Sequence, residues 1–149
     1  MIYKINLSIS GDNLFPEKII NKISGKFIVD SFHSPTDKKF EDGNDIYGYG
    51  TIFFWHPKKF ASQDNVSEYE EAFVDFLENN YSLFVDEGTQ DFVLYIEIYY
   101  DGGQCNFEVF NSKLLEKMAR FRVSIPVSVY TLNQKELQEW EDEIETAWQ

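Results

Sequence analysis

Two histidines, His33 and His56, are the side chains of this sequence best suited to acid-base or metal chemistry. Each lies near the end of a segment that reads as a β-strand, so a hairpin would place both rings on one sheet. A metal site would also need carboxylates, such as Asp30, Asp37 or Asp45. Their spacing lacks the compact ligand pattern of a zinc motif, which favours ordinary surface histidines over a metal or catalytic role.

Carboxylates occur in adjacent pairs, and a general acid or base needs one member of such a pair to be desolvated. These pairs lie in polar runs typical of solvated faces: Glu41/Asp42, Glu70/Glu71, Asp86/Glu87 and the tail after Asn133. The run from Glu41 to Asp45 has calcium-loop residue types, but it lacks the alternating acids and the terminal Glu of such a loop. We expect no catalytic carboxylate, no metal and no cofactor.

The single cysteine, Cys105, cannot form an internal disulfide, which agrees with a reducing compartment. Its neighbours supply neither a helix N-terminus nor an adjacent His to activate a thiolate, so a structural thiol is favoured over a nucleophile. The sequence also lacks a nucleophile elbow, a phosphate-binding glycine loop and a dinucleotide fingerprint. These observations predict a protein that is not an enzyme.

Charge is the strongest compositional signal, because 26 Asp and Glu against 13 Lys and Arg give a formal net charge of -13. With 43% hydrophobic residues the chain is expected to fold, so the acids lie on a folded surface. Such a surface repels nucleic acids and anionic lipids and attracts cationic proteins. No signal-peptide pattern and no membrane-span pattern occurs in the sequence. We therefore expect a cytoplasmic monomer or weak homodimer with a basic protein partner.

The order of predicted elements indicates one α+β domain over residues 1–149. Strands are predicted at 1–9, 26–33, 45–56, 92–100, 104–110 and 123–132, and helices at 15–23, 67–80, 112–121 and 133–149. Residues 92–100 and 104–110 read as a hairpin with the first strand in a central position, and Pro126 indicates an edge strand or a bulge. This order favours one mixed, mainly antiparallel twisted sheet, with helices packed on one face and a C-terminal helix.

Two of these helices have distinct faces. Ser67 to Glu70 has the form of a capping box, and apolar spacing follows in a helical pattern at Tyr69, Phe73, Phe76, Leu77 and Asn80. The tail helix, which Asn133 and Glu136 would cap, has an inner stripe of Leu137, Trp140, Ile144 and Trp148. Its outer face is acidic: Glu136, Glu139, Glu141, Asp142, Glu143 and Glu145. These acids are either merely solvated, or they form with Glu68, Glu70, Glu71, Asp75 and Glu78 a face for a basic partner.

Aromatic residues cluster in the third predicted strand, at Tyr47, Tyr49, Phe53, Phe54 and Trp55. Such a cluster is typical of a core. Glycine every second residue at Gly48 and Gly50 weakens a strand unless another segment packs closely over that face. The alternative is that the two tyrosines, which flank glycine, present their rings outward as interface anchors.

Two stretches resemble a known family. Residues 7–19, which read Leu-Ser-Ile-Ser-Gly-Asp-Asn-Leu-Phe-Pro-Glu-Lys-Ile, resemble the opening of a widespread bacterial family, number four-two-seven-nine in the domain-of-unknown-function series. The helix segment 114–119 and the strand segment 127–130 are similar to that family's closing pattern. The general size and neighbourhood type of the family also resemble those of immunity proteins, which protect bacteria from their own secreted toxins. The resemblance supplies no catalytic residues to transfer to this chain.

Charge, pattern and resemblance together predict a bacterial immunity protein that binds and neutralises a cationic toxin such as a nuclease. The expected contact residues are Glu68, Glu71, Asp75, Glu139, Asp142 and Glu143, with Tyr47, Tyr49 and Trp148 as apolar anchors. The alternative is a small-ligand-binding or enzymatic domain with a site near His33 and His56. A further possibility is an interaction module that dimerises through an exposed sheet edge.

Overall fold

The structure, a computed structural model, describes residues 1–148, and its strands form one mixed seven-stranded sheet. The strands are β1 (Ile2–Gly11), β2 (Ile28–His33), β3 (Gly50–Trp55), β4 (Ala61–Ser62), β5 (Asp91–Tyr100), β6 (Val123–Ser124) and β7 (Val127–Thr131). The helices are α1 (Val66–Asp86), α2 (Ser112–Met118) and α3 (Gln134–Trp148). The predicted α+β class, with a mixed and mainly antiparallel sheet, is confirmed.

Strand β1 lies at the centre of the sheet, in the order β2-β3-β1-β5-β6. It pairs antiparallel with β3 and β5 along its length and with β4 at its start. Strands β6 and β7 both run parallel to β5. The predicted central position of the strand at 92–100 is therefore confirmed. The predicted last strand is divided at Pro126 into β6 and β7 and lies at the sheet edge, as proline in a strand leads one to expect.

The main core lies between one face of the sheet and helices α1 and α2. Alternate residues of β1 point into it, and Leu7 and Ile9 are fully buried. The stripe predicted for α1 faces the same core, with Tyr69, Phe73 and Leu77 fully buried. Burial of this apolar face, at about 25 cal/mol per Å², is the main term that stabilises the fold.

Helix α3 packs around one end of the sheet. Its capping box forms as predicted, because Asn133 Oδ1 accepts from the Glu136 N–H at 3.0 Å and Glu136 Oε2 accepts from the Asn133 N–H at 3.1 Å. The Trp140 ring lies 5.2 Å from the Tyr99 ring, and Ile144 is buried. Gln149, the last residue of the predicted helix, lies outside the described residues.

The hairpin predicted from 92–100 and 104–110 is wrong in its second half, because residues 104–110 belong to no strand. Strand β1 pairs on one side of β5 and strands β6 and β7 on the other, so neither side of β5 is left for that segment. The alternating Phe107 and Val109 pack against the core without entering the sheet. An alternating pattern indicates two different faces, and it does not by itself establish a strand partner.

Two helix predictions also differ from the structure. The segment predicted as a helix at 15–23 forms two 3-10 turns, Pro16–Lys18 and Ile20–Lys22, because so short a segment gains little from helical hydrogen bonds. The capping box at Ser67 is wrong, because α1 begins one residue earlier after Asn65. Helix α2 is capped by Asn111, whose Oδ1 accepts from the Leu114 N–H at 3.1 Å, and not by Ser112.

Candidate functional site

The sheet face opposite α1 carries a cleft built from four neighbouring strands. Strand pairing sets His33, Thr51, Ser10 and Asp91 side by side across β2, β3, β1 and β5. The next row along the same face contains Ser31, Phe53, Ser8 and Val93. Directly opposed residues of paired strands point to the same face, so these two rows form one continuous surface.

The cleft has a volume of about 460 Å³. We call it the tyrosine-histidine cleft, and it is lined by Ser8, Ser10, Ser31, Phe32, His33, Tyr47, Tyr49, Thr51, Phe53 and Tyr95. Its lining combines the hydroxyl groups of three Ser and one Thr on the strands with aromatic rings. Tyr49 and Tyr95 are 43% and 41% exposed, so their rings are accessible to a binding partner.

His33 is held in this cleft by its aromatic neighbours. Its ring stacks on Tyr47 with the ring centroids 3.6 Å apart, and it meets Tyr49 edge-on at 4.9 Å. Its Nδ1 atom is buried and has no hydrogen-bond partner among the described residues. A proton on Nδ1 would be a buried donor without an acceptor, so the geometry favours the tautomer with its N–H at Nε2.

The loop before β3 places the two tyrosines at the cleft. Residues 45–49, which were predicted as strand, lie outside β3, and Gly48 takes a positive φ of 76° that a side chain would resist. Tyr47 N–H donates to the Asp37 carbonyl at 3.0 Å across this long hairpin loop. Tyr47 is half-buried against His33, whereas Tyr49 is more exposed. Whether either ring contacts a partner stays a prediction.

His56 does not share this site. Thr51 pairs beside His33 at one end of β3, and His56 follows Trp55 at the other end, so roughly 16 Å of extended chain separates the two positions. The His56 ring stacks on Trp148 at 6.0 Å and packs edge-on against Tyr69 at 5.1 Å. Burial lowers the pKa of His56, and the charge of Lys58 adds to this, while the Lys58 carbonyl and Glu68 oppose it. This histidine is a packing residue at the junction of α1 and α3.

The predicted contact acids of α3 lie on its exposed outer side. Glu139 lies 3.6 Å from Lys135 in an exposed pair, and Asp142 Oδ1 accepts from Gln138 Nε2 at 2.9 Å. Glu143 borders a groove of about 470 Å³, which is lined by Lys59, Phe60, Trp140, Glu143, Ile144 and Ala147. Glu143 therefore adjoins an apolar groove, whereas Glu139 and Asp142 are exposed to solvent.

The predicted contact acids of α1 are arranged differently. Asp75 lies 3.3 Å from Lys117 of α2, and the neighbouring Glu78 lies 2.7 Å from Arg120. Glu68 and Glu71 are exposed near the start of α1. That end of α1 meets the end of α3, where the Tyr69 and Trp148 rings are 6.2 Å apart. The structure thus brings the two helix ends together and involves Asp75 in a contact within the chain.

Trp148, predicted as an apolar anchor for a partner, packs within the chain. Its Nε1 donates to the Phe60 carbonyl at 2.9 Å, and Lys58 Nζ lies 3.9 Å from the centre of its ring. These contacts fasten the end of α3 to the loop between β3 and β4.

A second polar pocket was missed by the sequence analysis. It has a volume of about 270 Å³ and is lined by Tyr3, Gln63, Val66, Ser67, Glu70, Asn106, Glu108 and Asn111. Glu70 is 4% exposed, and burial raises its pKa, with a smaller increase from Glu108 and an opposing hydrogen bond from Phe110. The signal was present in the sequence, because Glu70 precedes Phe73 and Val74 by three and four residues and so shares the buried side of α1.

Comparison with known proteins gives no match: no protein-family model, no curated protein and no solved structure matches this chain. Within residues 1–148, no three His, Cys, Asp or Glu side chains are grouped so as to hold a metal ion. None of the described helices combines the length and the apolar character needed to cross a membrane. The resemblance to the bacterial family of unknown function stays a prediction.

Proposed function

We propose that this protein is a non-enzymatic, acidic binding protein that binds and neutralises a cationic protein, as a cytoplasmic bacterial immunity protein does with a toxin such as a nuclease. The proposal names a class of partner, a basic protein, and a mode of action, occlusion of its functional surface. It assigns no catalytic residue.

The distribution of ion pairs is the observation that supports this proposal. All 26 acidic residues lie within the described part of the chain, and ion pairs there involve only six of them: Glu141, Glu97, Glu87, Asp75, Glu78 and Glu139. Most of the negative charge is therefore not neutralised within the protein. Such a field raises the association rate with a cationic partner and repels phosphate-bearing ligands.

A nuclease toxin provides the matching charge. Nucleases hold phosphates with Lys and Arg, so carboxylates placed where phosphates would lie can occupy the same surface. In the proposed interface the carboxylates of Glu139, Asp142 and Glu143 on α3 contribute most, because all three are exposed and Glu143 borders the groove at Trp140. Glu68 and Glu71 extend that face at the start of α1, while Asp75 contributes less because Lys117 lies beside it.

Charge reversal on α3 tests this function. A triple variant, Glu139→Lys with Asp142→Lys and Glu143→Lys, is compared with a matched variant in the exposed loop, Glu41→Lys with Asp42→Lys and Asp45→Lys. Both variants change the net charge equally. We expect the α3 variant to lose capture of the product of the neighbouring gene at least tenfold more than the loop variant, and wild-type binding to weaken from 50 to 300 mM salt. Binding that is insensitive to salt and to both variants would remove the electrostatic mechanism.

The alternative function, a small-ligand-binding or enzymatic domain near His33 and His56, finds support in the tyrosine-histidine cleft at His33. The position of His56 at the far end of β3 weighs against a site that uses both histidines. Ligand binding at the cleft can be tested separately, because the cleft and the outer side of α3 are built from different residues.

A further inference from the structure

We infer that the tyrosine-histidine cleft receives an arginine side chain of the basic partner, so that the open sheet face supplies the specific anchor and α3 supplies charge. This inference rests on the proposed function, since it identifies the group on the partner that the open sheet face recognises. Its evidence is the chemistry of the cleft.

Aromatic rings give the cleft an affinity for cations. Tyr49 and Tyr95 are among its most exposed side chains, and the Tyr47 and Tyr49 rings lie edge to face with their centroids 6.2 Å apart. The face of a tyrosine ring carries negative electrostatic potential and attracts a cation within about 6 Å of its centre. Partly exposed tyrosines are also frequent anchors at protein interfaces.

The charges around the cleft favour the same ligand. Its lining, within the described chain, contains no Lys or Arg. Lys4, on the same sheet face, is paired with Glu97 at 3.0 Å. Asp91 lies directly opposite Ser10 at the rim and is exposed. A cation entering the cleft therefore meets no cation among the lining residues, and an acid lies beside Ser10.

The hydroxyl groups of the cleft distinguish a guanidinium from an ammonium group. Ser8, Ser10, Ser31 and Thr51 contribute hydroxyls, and the Thr51 hydroxyl already donates to the Ile9 carbonyl at 3.0 Å, so its oxygen is oriented to accept. A guanidinium is planar, stacks on aromatic rings and carries five donors, whereas an ammonium is a compact point charge. Several hydroxyl acceptors among aromatic rings therefore suit arginine better than lysine.

Peptide binding to the intact protein tests this assignment. The probes are three blocked tripeptides, acetyl-Gly-Arg-Gly-amide, its lysine counterpart and its citrulline counterpart, with tetramethylammonium as a free organic cation. Amide chemical shifts of the ¹⁵N-labelled protein are followed in 150 mM salt. We expect the arginine peptide to shift residues of the cleft, above all Ser8, Ser10 and Tyr49, and to bind several-fold more tightly than the lysine peptide. The citrulline peptide and tetramethylammonium should bind more weakly still.

The variants that locate the site are Tyr49→Ser and Tyr95→Ser, alone and combined. Tyr130→Ser is the matched control, because Tyr130 is 47% exposed and pairs beside Tyr99 on the same sheet face, outside the cleft. The double variant should weaken the arginine peptide about tenfold, and the control should change it less than twofold. An unchanged melting temperature shows that each variant is folded.

Three results would overturn the inference: equal binding of the arginine and citrulline peptides, equal binding by the double variant and wild type, or tightest binding of tetramethylammonium. The last result would indicate a small-molecule site. Failure of the proposed function would give a different pattern. In that case charge reversal on α3 would not affect binding of the protein partner, while the arginine peptide would still bind at the cleft.

Discussion

Glu70 fixes the backbone of Phe110, a residue forty positions later in the chain. Its Oε1 accepts from the Phe110 N–H at 3.0 Å, and Phe110 has a φ of 54°, a left-handed conformation that is costly for a bulky residue. Phe110 is itself buried and directly precedes Asn111, the cap of α2. This single hydrogen bond therefore connects α1 to the start of α2.

Removing the acceptor at Glu70 should destabilise the protein. In Glu70→Ala the buried Phe110 N–H loses its partner, and we expect the free energy of unfolding to fall by about 1–3 kcal/mol. Glu70→Gln keeps an acceptor oxygen and should cost less. Urea denaturation measures both, with Glu71→Ala on the exposed side of α1 as the control. Equal stabilities of Glu70→Ala and the control would show that the bond contributes nothing.

The same carboxyl should make stability depend on pH. Burial raises the pKa of Glu70 above its ordinary value of 4.5, so the folded state binds this proton more tightly than the unfolded state. The resulting stabilisation is complete below pH 4.5 and is lost as pH rises through the folded-state pKa. Glu70→Gln does not titrate, so its stability relative to wild type should increase over that pH interval. Melting temperatures between pH 4 and 7 test this, and parallel curves for the two proteins would contradict it.

His56 should produce the opposite dependence. Burial lowers its pKa below 6.5, so the unfolded state binds the proton more readily. The stabilising contribution of the neutral His56 ring is therefore fully present above pH 6.5 and is lost as pH falls through the folded-state pKa. In the wild type the Lys58 N–H donates to His56 Nδ1 at 3.1 Å, and the asparagine Oδ1 of His56→Asn can accept the same hydrogen bond. Because asparagine does not titrate, the loss of stability at low pH should disappear in this variant. NMR titration of the two histidine rings checks the direction, and a pKa of His56 at or above 6.5 would refute the prediction.

Tyr69 bonds to the backbone of β1 at Ile5, between the residues of β1 that pair with β4 and those that pair with β3. Its hydroxyl accepts from the Ile5 N–H at 3.2 Å and donates to the Lys59 carbonyl at 2.8 Å. Tyr69→Phe leaves the buried Ile5 N–H without this partner and removes the bond to the partly buried Lys59 carbonyl, so we expect a loss of about 1–3 kcal/mol in the free energy of unfolding. Tyr81→Phe, on the same helix and half-buried, is the control and should change stability by less than about 0.5 kcal/mol. Similar losses for both variants would contradict this role.

Gly50 permits a close backbone contact at the start of β3. A Cβ atom at this position would lie 1.8 Å from the Leu14 carbonyl oxygen, whereas at Gly43 the nearest atom would be 3.6 Å away. Gly50→Ala should therefore destabilise the protein by about 2–3 kcal/mol, and Gly43→Ala should leave it nearly unchanged. Thermal unfolding compares the two, and a stable Gly50→Ala protein would show that Leu14 can move aside.

The sequence by itself determined the α+β class, the buried stripe of α1, the capping box of α3 and the central place of β5. These features follow from local chemistry, because side-chain periodicity marks which face is buried and capping depends on residues a few positions apart. The concentration of acids on α3 was also readable from the chain.

Tertiary structure alone decided which elements pair and which side chains meet. Residues 104–110 alternate like a strand, yet β6 and β7 occupy the pairing edge of β5. Glu70 resembles a capping residue, yet its carboxylate bonds to Phe110. The tyrosine-histidine cleft combines residues from β1, β2, β3, β5 and the loop before β3. The separation of His33 from His56 depends on the register of β2 with β3. Such contacts join residues far apart in sequence, so their geometry is set by the packing of the whole sheet and not by local pattern.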